Sequence, residues 1–248
     1  MSDSLGLLFR VTSFGESHGS SIGVVVEGCP AGIELDAEAV QAELDRRVPS
    51  RQPGATPRRE PDRVRIVSGL YRRHTTGAPV CMMVDNTCHE SSSYKDLAVT
   101  PRPGHADYPA GVRYGGWNDP GGGGRFSGRI TAGFVMAGAV AKAVLHTVGV
   151  EIYAHTVAIG DVVAPGCAPE EVASRHQTNS LSCCDDAVAA GMTKVIEEAR
   201  AAGDSVGGVV ECVALGLPPG MGEPVFAGVE SEVARASTAI TSEATVME

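Results

Sequence analysis

From Gly128 to Val148 the chain is apolar, free of proline and built largely from small side chains. Ala132, Gly133, Ala137, Gly138, Ala139, Ala141 and Ala143 all fall there. This reads as one long helix whose thin surface lets a sheet or second helix approach closely, so it is expected to be central and deeply packed. The run Gly121–Gly124, then Arg125, Phe126 and Ser127, leads into it. The first turn of such a helix has unbonded N–H groups and a positive dipole end. With Arg125 and Arg129 alongside, an anion site is expected at its start. The glycine run lacks the Lys-Ser/Thr of a P-loop, and no strand feeds cleanly into it as a dinucleotide fingerprint requires.

Other segments supply partners for that helix. Ile22–Glu27 is β-branched and reads as a strand buried on both faces. Gly28–Gly32 then turns the chain, and Asp36 caps a helix to about Arg47 with apolar positions at Ala39, Val40 and Leu44. Val64–Gly69 and Pro79–Asp85 read as strands, Asn86–Tyr114 as polar loop, and Ile152–Val157 as a strand. Ala164–Ser182 reads as irregular with a short helix. Asp185 starts a helix to about Ala202 on the stripe Val188, Met192, Val195, Ile196 and Ala199. Gly207–Leu215 reads as a buried strand, and Glu230–Ala239 as helical. Gly23–Glu27 with its Gly28–Gly32 turn is echoed by Gly208–Glu211 with Gly216–Gly220, which suggests two similar halves.

Composition narrows the function. A net charge of −10 speaks against nucleic acid as a partner. No run of eighteen apolar residues predicts a membrane span, and Met1–Ser4 does not open a secretory signal. Seven cysteines without a C-x-x-C pair read as reduced, mostly buried thiols of a cytoplasmic protein; Cys29, Cys81 and Cys212 sit in apolar runs, and Cys183 and Cys184 are adjacent. Arginines concentrate in one stretch: Arg46, Arg47, Arg51, Arg58, Arg59, Arg63, Arg65, Arg72 and Arg73. Their planar forks suit phosphate and carboxylate, and so a small anionic ligand. Residues Val48–Pro61, within that stretch, are aperiodic and rich in Pro, Gly and Arg, and read as a functional loop that orders with ligand.

Two histidines sit in glycine-flanked loops. Phe14-Gly15-Glu16-Ser17-His18-Gly19 is badly composed for a core but well composed for a ligand loop, and histidine is the side chain suited to give or take a proton there. Arg102-Pro103-Gly104-His105-Ala106-Asp107-Tyr108 repeats the arrangement, with an arginine and an aspartate in reach. His74 and His89 lack glycine neighbours and are given surface roles. Two such histidines, an arginine cluster and an anion-ready helix start suit a small phosphorylated acid that loses phosphate. Arginine neutralises the leaving oxygens and a protonated histidine delivers a proton.

Read together and in this order, these stretches and Gly121–Arg129 resemble the chorismate synthase family, from about Leu7 to about Ala236. The resemblance implies an α+β fold, a β-α-β sandwich with two pseudo-repeated halves of which the second is incomplete. It implies one domain, 1–248, lacking the family's C-terminal portion: a truncated or frame-shifted member. It implies a carbon–oxygen lyase of the shikimate pathway of aromatic amino acid biosynthesis, converting 5-enolpyruvylshikimate 3-phosphate to chorismate by 1,4-elimination of phosphate. The cofactor implied is reduced FMN; FAD and NADP belong to the same family chemistry, with NADPH as a reductant, and the family forms homotetramers.

By the same resemblance His18 is the acid at the phosphate and His105 lies near the flavin. Ser17, Arg46, Arg47 and Arg51 face substrate, and Arg125, Phe126 and Ser127 contact the cofactor. Val48 stands where the family has a third arginine, and Phe126 where it has a serine. The competing reading is a non-catalytic remnant that binds anions or flavin weakly. A metal hydrolase built on His18 and His105 is disfavoured, because neither has a His-x-x-x-His partner or carboxylate ligand spacing.

Overall fold

The computed structural model describes residues 3–47, 61–87, 94, 96–97 and 99–244, the last seven as backbone only. Its strands are β1 Ser4–Leu5, β2 Arg10–Gly15, β3 Ser21–Glu27, β4 Arg65–Ser68, β5 Leu70–Tyr71, β6 His74–Thr75, β7 Val80–Asp85, β8 Glu151–Ile159, β9 Val162–Val163 and β10 Gly208–Leu215. Its helices are α1 Ala37–Arg47, α2 Asp107–Tyr114, α3 Thr131–His146, α4 Pro169–Arg175, α5 Asp186–Ala202 and α6 Val229–Ala244. The α+β class expected from the sequence is the class observed.

Two compact units divide these elements: 3–47 with 61–144 and 220–244, and 145–219. In the first, five strands form a sheet in the order β1-β2-β3-β7-β4. Central β3 is antiparallel to β2 and β7, and its register sets Ile22, Val24 and Val26 opposite Val84, Met82 and Val80. These six side chains share one face and are buried with Val40 and Leu44 of α1 and with Met136 and Val140 of α3. The small-residue helix has the central place expected of it. A Cβ on Gly133 would stand 3.2 Å from the Gly23 carbonyl oxygen, so glycine there lets α3 ride close on β3. Gly128–His146 is long and apolar enough to cross a membrane by composition, yet much of it lines this core.

In the second unit β10, β8 and β9 form an antiparallel sheet in that order. Ile159 packs with Cys183, Ala189 and Met192 of α5 and its approach. Asp185 caps α5 by accepting from the N–H groups of Ala187 (2.9 Å) and Val188 (3.0 Å).

Several expectations need correction. Phe14 and Gly15, read as part of a loop, end a strand that begins at Arg10, while Leu7 and Leu8 before it are each 90% exposed. Pairing with β3 decides this, since Thr12 and Ser13 sit on the pleat as readily as apolar residues. Ala39 is exposed; the buried side of α1 is Val40 and Leu44. Asp107–Tyr114, read as loop, is helical: Pro109 falls in the first turn, where its missing N–H costs nothing, and left-handed Gly115 ends the helix. β10 is a strand but an exposed one, and Cys212 on it is exposed too, because among the described residues β8 is its only paired neighbour. The helix expected over Glu230–Ala239 runs on to Ala244. Val48–Glu60, with Arg51, Arg58 and Arg59, and also His89, lie outside the described residues.

Candidate functional site

The glycine run is where the site is built. Gly122, Gly123 and Gly124 have φ of +59°, +84° and +55°, a succession only glycine adopts without strain. A Cβ on Gly122 would stand 2.5 Å from Cδ2 and Nε2 of His18 and 2.9 Å from Oγ of Ser17. The absent side chain is therefore what admits the His18 ring. The Ser17 N–H donates to the Gly124 carbonyl (3.2 Å), locking the two loops together, and Ser17 is fully buried.

Asn86 holds the His18 loop from the other side. Its Nδ2 donates to the carbonyls of Glu16 (3.0 Å) and Gly19 (2.8 Å), and its Oδ1 accepts from Arg129 Nε (3.0 Å). Arg129 also pairs with Asp62, which is 2% exposed. Asp62 accepts from Arg47 Nη1 as well (3.1 Å), and Arg47 reaches Gly128 O (3.0 Å) and Thr131 Oγ1 (3.2 Å). Two guanidinium groups thus share one buried carboxylate. A buried arginine is tolerated only when paired and hydrogen-bonded, and Asp62 supplies that pairing to both arginines beside the loop that carries His18.

The second histidine loop meets the first through Tyr94. The His18 ring stands edge-on to Tyr94 at 5.1 Å, and the Arg102 guanidinium lies over the same ring at 5.8 Å. Arg102 forms a two-point pair with Asp107, Nε to Oδ2 at 2.8 Å and Nη2 to Oδ1 at 3.0 Å. The Asp107 carboxyl is held below its usual range by that hydrogen bond, with burial opposing. The His105 N–H donates to the Arg102 carbonyl (3.4 Å). Burial first, then the Arg102 charge, lower the His105 pKa against the pull of Asp107, so its imidazole is biased towards the neutral form. Beside this loop a cleft of about 330 Å³ runs past Leu97, Asp107, Tyr108, Asn118 and Pro120.

Among the expected site residues, Ser17 and His18 lie against the glycine run, Arg47 shares Asp62 with Arg129, and His105 sits on the loop whose Arg102 covers Tyr94. Arg125 is anchored in the fold: it donates to Gly15 O (2.9 Å), Ser13 Oγ (2.7 Å) and Asp3 Oδ1 (2.7 Å). Phe126 packs its ring towards Tyr114, 6.4 Å between centroids, and so presents no polar side chain. Arg46 turns away, to Glu43 on the exposed side of α1 (3.0 Å). Arg65 and Arg73 pair locally with Asp85 and Asp36, so the arginine stretch is not one cluster.

The expected anion site at the start of α3 is already partly filled. Ser127 Oγ accepts from the Arg129 N–H (3.3 Å), Ser127 O from that of Ile130 (3.1 Å), and the Arg129 side chain is turned inward. Sequence reading missed Asp62, Asn86 and Tyr94. Nothing local marks Asp62, whose role depends on two arginines 15 and 67 residues away in the chain. Among the described residues no group of three or more His, Cys, Asp or Glu side chains converges to hold a metal.

Comparison with known proteins identifies the family. The chorismate synthase family model matches residues 9–247, so the resemblance does not end near Ala236 as expected. The chain is 46% identical over 240 residues to a chorismate synthase of Dehalococcoides mccartyi, covering 97% of this chain and 66% of that protein. It is 46% identical to that of Methanothermobacter thermautotrophicus (97% and 64%) and 48% identical to that of Aeropyrum pernix (96% and 63%). It thus spans a little under two thirds of the length of these relatives. A crystal structure of chorismate synthase superposes with a TM-score of 0.70 at 28% identity, covering 88% of this chain and 60% of that one. The chain belongs to the chorismate synthase family.

Proposed function

We propose that this chain acts as a chorismate synthase, eliminating phosphate from 5-enolpyruvylshikimate 3-phosphate, and that Ser17, His18, Arg47 and His105 carry its share of the chemistry. The observation that supports this best is the seating of His18 on the Gly121–Gly122 backbone, edge-on to a tyrosine that lies beneath Arg102. An imidazole fixed between backbone and ring cannot swing, so it offers its proton along one direction. Charge on a departing phosphate is stabilised by donors already in place, and the Arg47–Asp62–Arg129 group is preorganised in that sense. His18 delivers a proton to the phosphate oxygen as the carbon–oxygen bond breaks. Ser17, buried beside Gly122, keeps the His18 loop on the glycine run through its N–H to the Gly124 carbonyl.

The residues present fit a flavin nucleotide at the glycine run. A Cβ on Gly123 would stand 3.8 Å from Arg102 Nη2 and 3.7 Å from Ser127 Cβ, so its absence keeps a gap open beside a cation and a hydroxyl. Ser127, Arg102 and the backbone of Arg125 and Phe126 would hold the group there, with neutral His105 nearby as a proton acceptor. Reduced FMN held there would supply a transient electron and an acceptor for the proton of the substrate ring. NADPH is the proposed reductant and a homotetramer the proposed assembly, both on the family resemblance.

The test is anaerobic incubation with 5-enolpyruvylshikimate 3-phosphate and photoreduced FMN, following chorismate and inorganic phosphate together. The two are expected in equal amounts, and His18→Ala is expected to slow both by about 10²–10⁴-fold. Phosphate release without chorismate, or near-normal turnover by the variant, contradicts the proposal.

A further inference from the structure

The second unit holds a thiol–imidazole–carboxylate chain that the proposed chemistry leaves unused. Cys184 Sγ lies 3.4 Å from Nδ1 of His155, and Nε2 of His155 lies 2.8 Å from Oε2 of Glu211. Cys184 and His155 are both buried, while Glu211 opens to solvent on β10. A carboxylate can only accept, so Glu211 fixes the proton on Nε2 and leaves Nδ1 to accept from the thiol. The segment bearing Cys184 is stiff. Asn179 donates to the Cys183 carbonyl (2.7 Å) and accepts from the Cys183 N–H (3.1 Å), and capped α5 begins two residues after Cys184. Cys183 is different: it faces the core with Ile159 and Met192.

A second sulfur completes the cluster. Cys167, half-exposed just ahead of α4, is a side-chain neighbour of Cys184, and its thiol donates to Glu171 Oε2 (3.8 Å). Burial, then the neighbouring Cys167 and Cys183 thiols, push the Cys184 thiol up to about 12, against the pull of Arg175. Cys184 is therefore no nucleophile by itself; it needs a base, and the base is in contact with it.

We propose that Cys167 and Cys184 form an oxidisable dithiol, which a hydroperoxide converts to a disulfide with His155 as the base. The Cys167 thiol passes its proton to the Glu171 carboxylate it faces (Sγ–Oε2 3.8 Å), and its sulfur attacks one oxygen of hydrogen peroxide. An S–O bond forms, the O–O bond breaks, and the departing hydroxide takes a proton, giving a sulfenic acid and water. Cys184 then passes its proton to Nδ1 of His155, with Glu211 steadying the imidazolium. Its sulfur attacks that of Cys167, the S–S bond forms, and the S–OH bond breaks to release water. Two thiols and one peroxide become one disulfide and two waters: the sulfurs lose two electrons and the peroxide gains them. This site does not depend on the function proposed for the first unit.

Peptide mapping of the intact 248-residue chain tests it. After brief exposure to hydrogen peroxide, alkylation and trypsin digestion without reduction, the peptide Ala143–Arg175 should be joined to His176–Lys194. Cys183→Ser should keep the link and Cys184→Ser abolish it, leaving a sulfenic acid on Cys167 that dimedone traps. His155→Gln should slow disulfide formation on the order of 10²-fold while leaving the rate of sulfenic acid formation unchanged. If oxidation of the unsubstituted chain links other cysteines, or leaves Cys167 as a sulfinic acid without a link, the proposal fails. Equal rates with and without His155 in a folded variant remove the histidine from it.

Discussion

Two strand-and-turn segments of this chain are close copies in sequence and opposites in environment. Gly23–Glu27 with Gly28–Gly32, and Gly208–Glu211 with Gly216–Gly220, share valine-rich strands and glycine turns. The turns match in backbone: Gly28 and Gly216 have φ of +74° and +73°, Gly32 and Gly220 of +85° and +88°. A Cβ on Gly28 would overlap the Leu8 carbonyl oxygen, and one on Gly216 that of Gly149. Yet β3 is the middle strand of five and is buried under α1 and α3, whereas β10 is an edge strand with most side chains in water. Local sequence sets the strand and its turn. Burial is set by what else packs there, which no local pattern encodes.

The comparison breaks most visibly under a charge. Val24→Asp should cost about 4 kcal/mol or more, because an unpaired carboxylate would enter the core, while Val210→Asp, at a site 67% exposed, should stay within about 0.5 kcal/mol. Urea unfolding with matched m-values measures both, and equal losses would mean that β10 is covered. At the turns the two segments should instead agree. Gly28→Ala and Gly216→Ala should each cost about 1–3 kcal/mol through the left-handed φ, with the carbonyl overlap placing both towards the upper end. Gly32→Ala and Gly220→Ala, which have open space around the missing Cβ, should cost less. A large difference between Gly28 and Gly216 would deny that the turns are equivalent.

A smaller effect concerns the helix caps of the two units. Asp36→Ala at α1 and Asp185→Ala at α5 should each lose about 1 kcal/mol. The Asp36 carboxyl is held below its ordinary range by its bond to the Ala39 N–H, with burial opposing and Arg73 assisting. A lowered folded pKa gives stability that is complete above the unfolded value of about 3.9 and is lost as pH falls through the folded value. Asp36→Asn should keep most of the cap and remove that acid-side slope. An unchanged slope between pH 5 and 2 would show that Asp36 does not contribute it.

Much of this was legible in the sequence, and the failures have physical reasons. The small side chains from Ala132 to Ala143 announced a central helix because only a close partner makes use of them. The glycine run was legible only as the approach to a helix start; that it seats His18 was not, because the loop bearing His18 lies about a hundred residues earlier and meets the run only on folding. Asp62 was not legible. An isolated aspartate beside Pro61 carries no local signal, and it matters only because folding brings Arg47 and Arg129 to it. Phe126 was legible as a departure from the family pattern, and its packing towards Tyr114 shows where the replaced side chain goes. The arginine stretch misled in part, since folding gives Arg46, Arg65 and Arg73 separate partners in Glu43, Asp85 and Asp36.

The central proposal is that His18 and His105 act at one site, the first on the substrate's phosphate and the second beside it. The most direct test follows the ring-proton resonances of the histidines by NMR during titration with 5-enolpyruvylshikimate 3-phosphate, assigned by His18→Ala and His105→Ala. The account predicts that the His18 and His105 signals move together along one saturation curve while those of exposed His74 and His146 stay still. Movement of only one of the pair, or equal movement of all four, would contradict it.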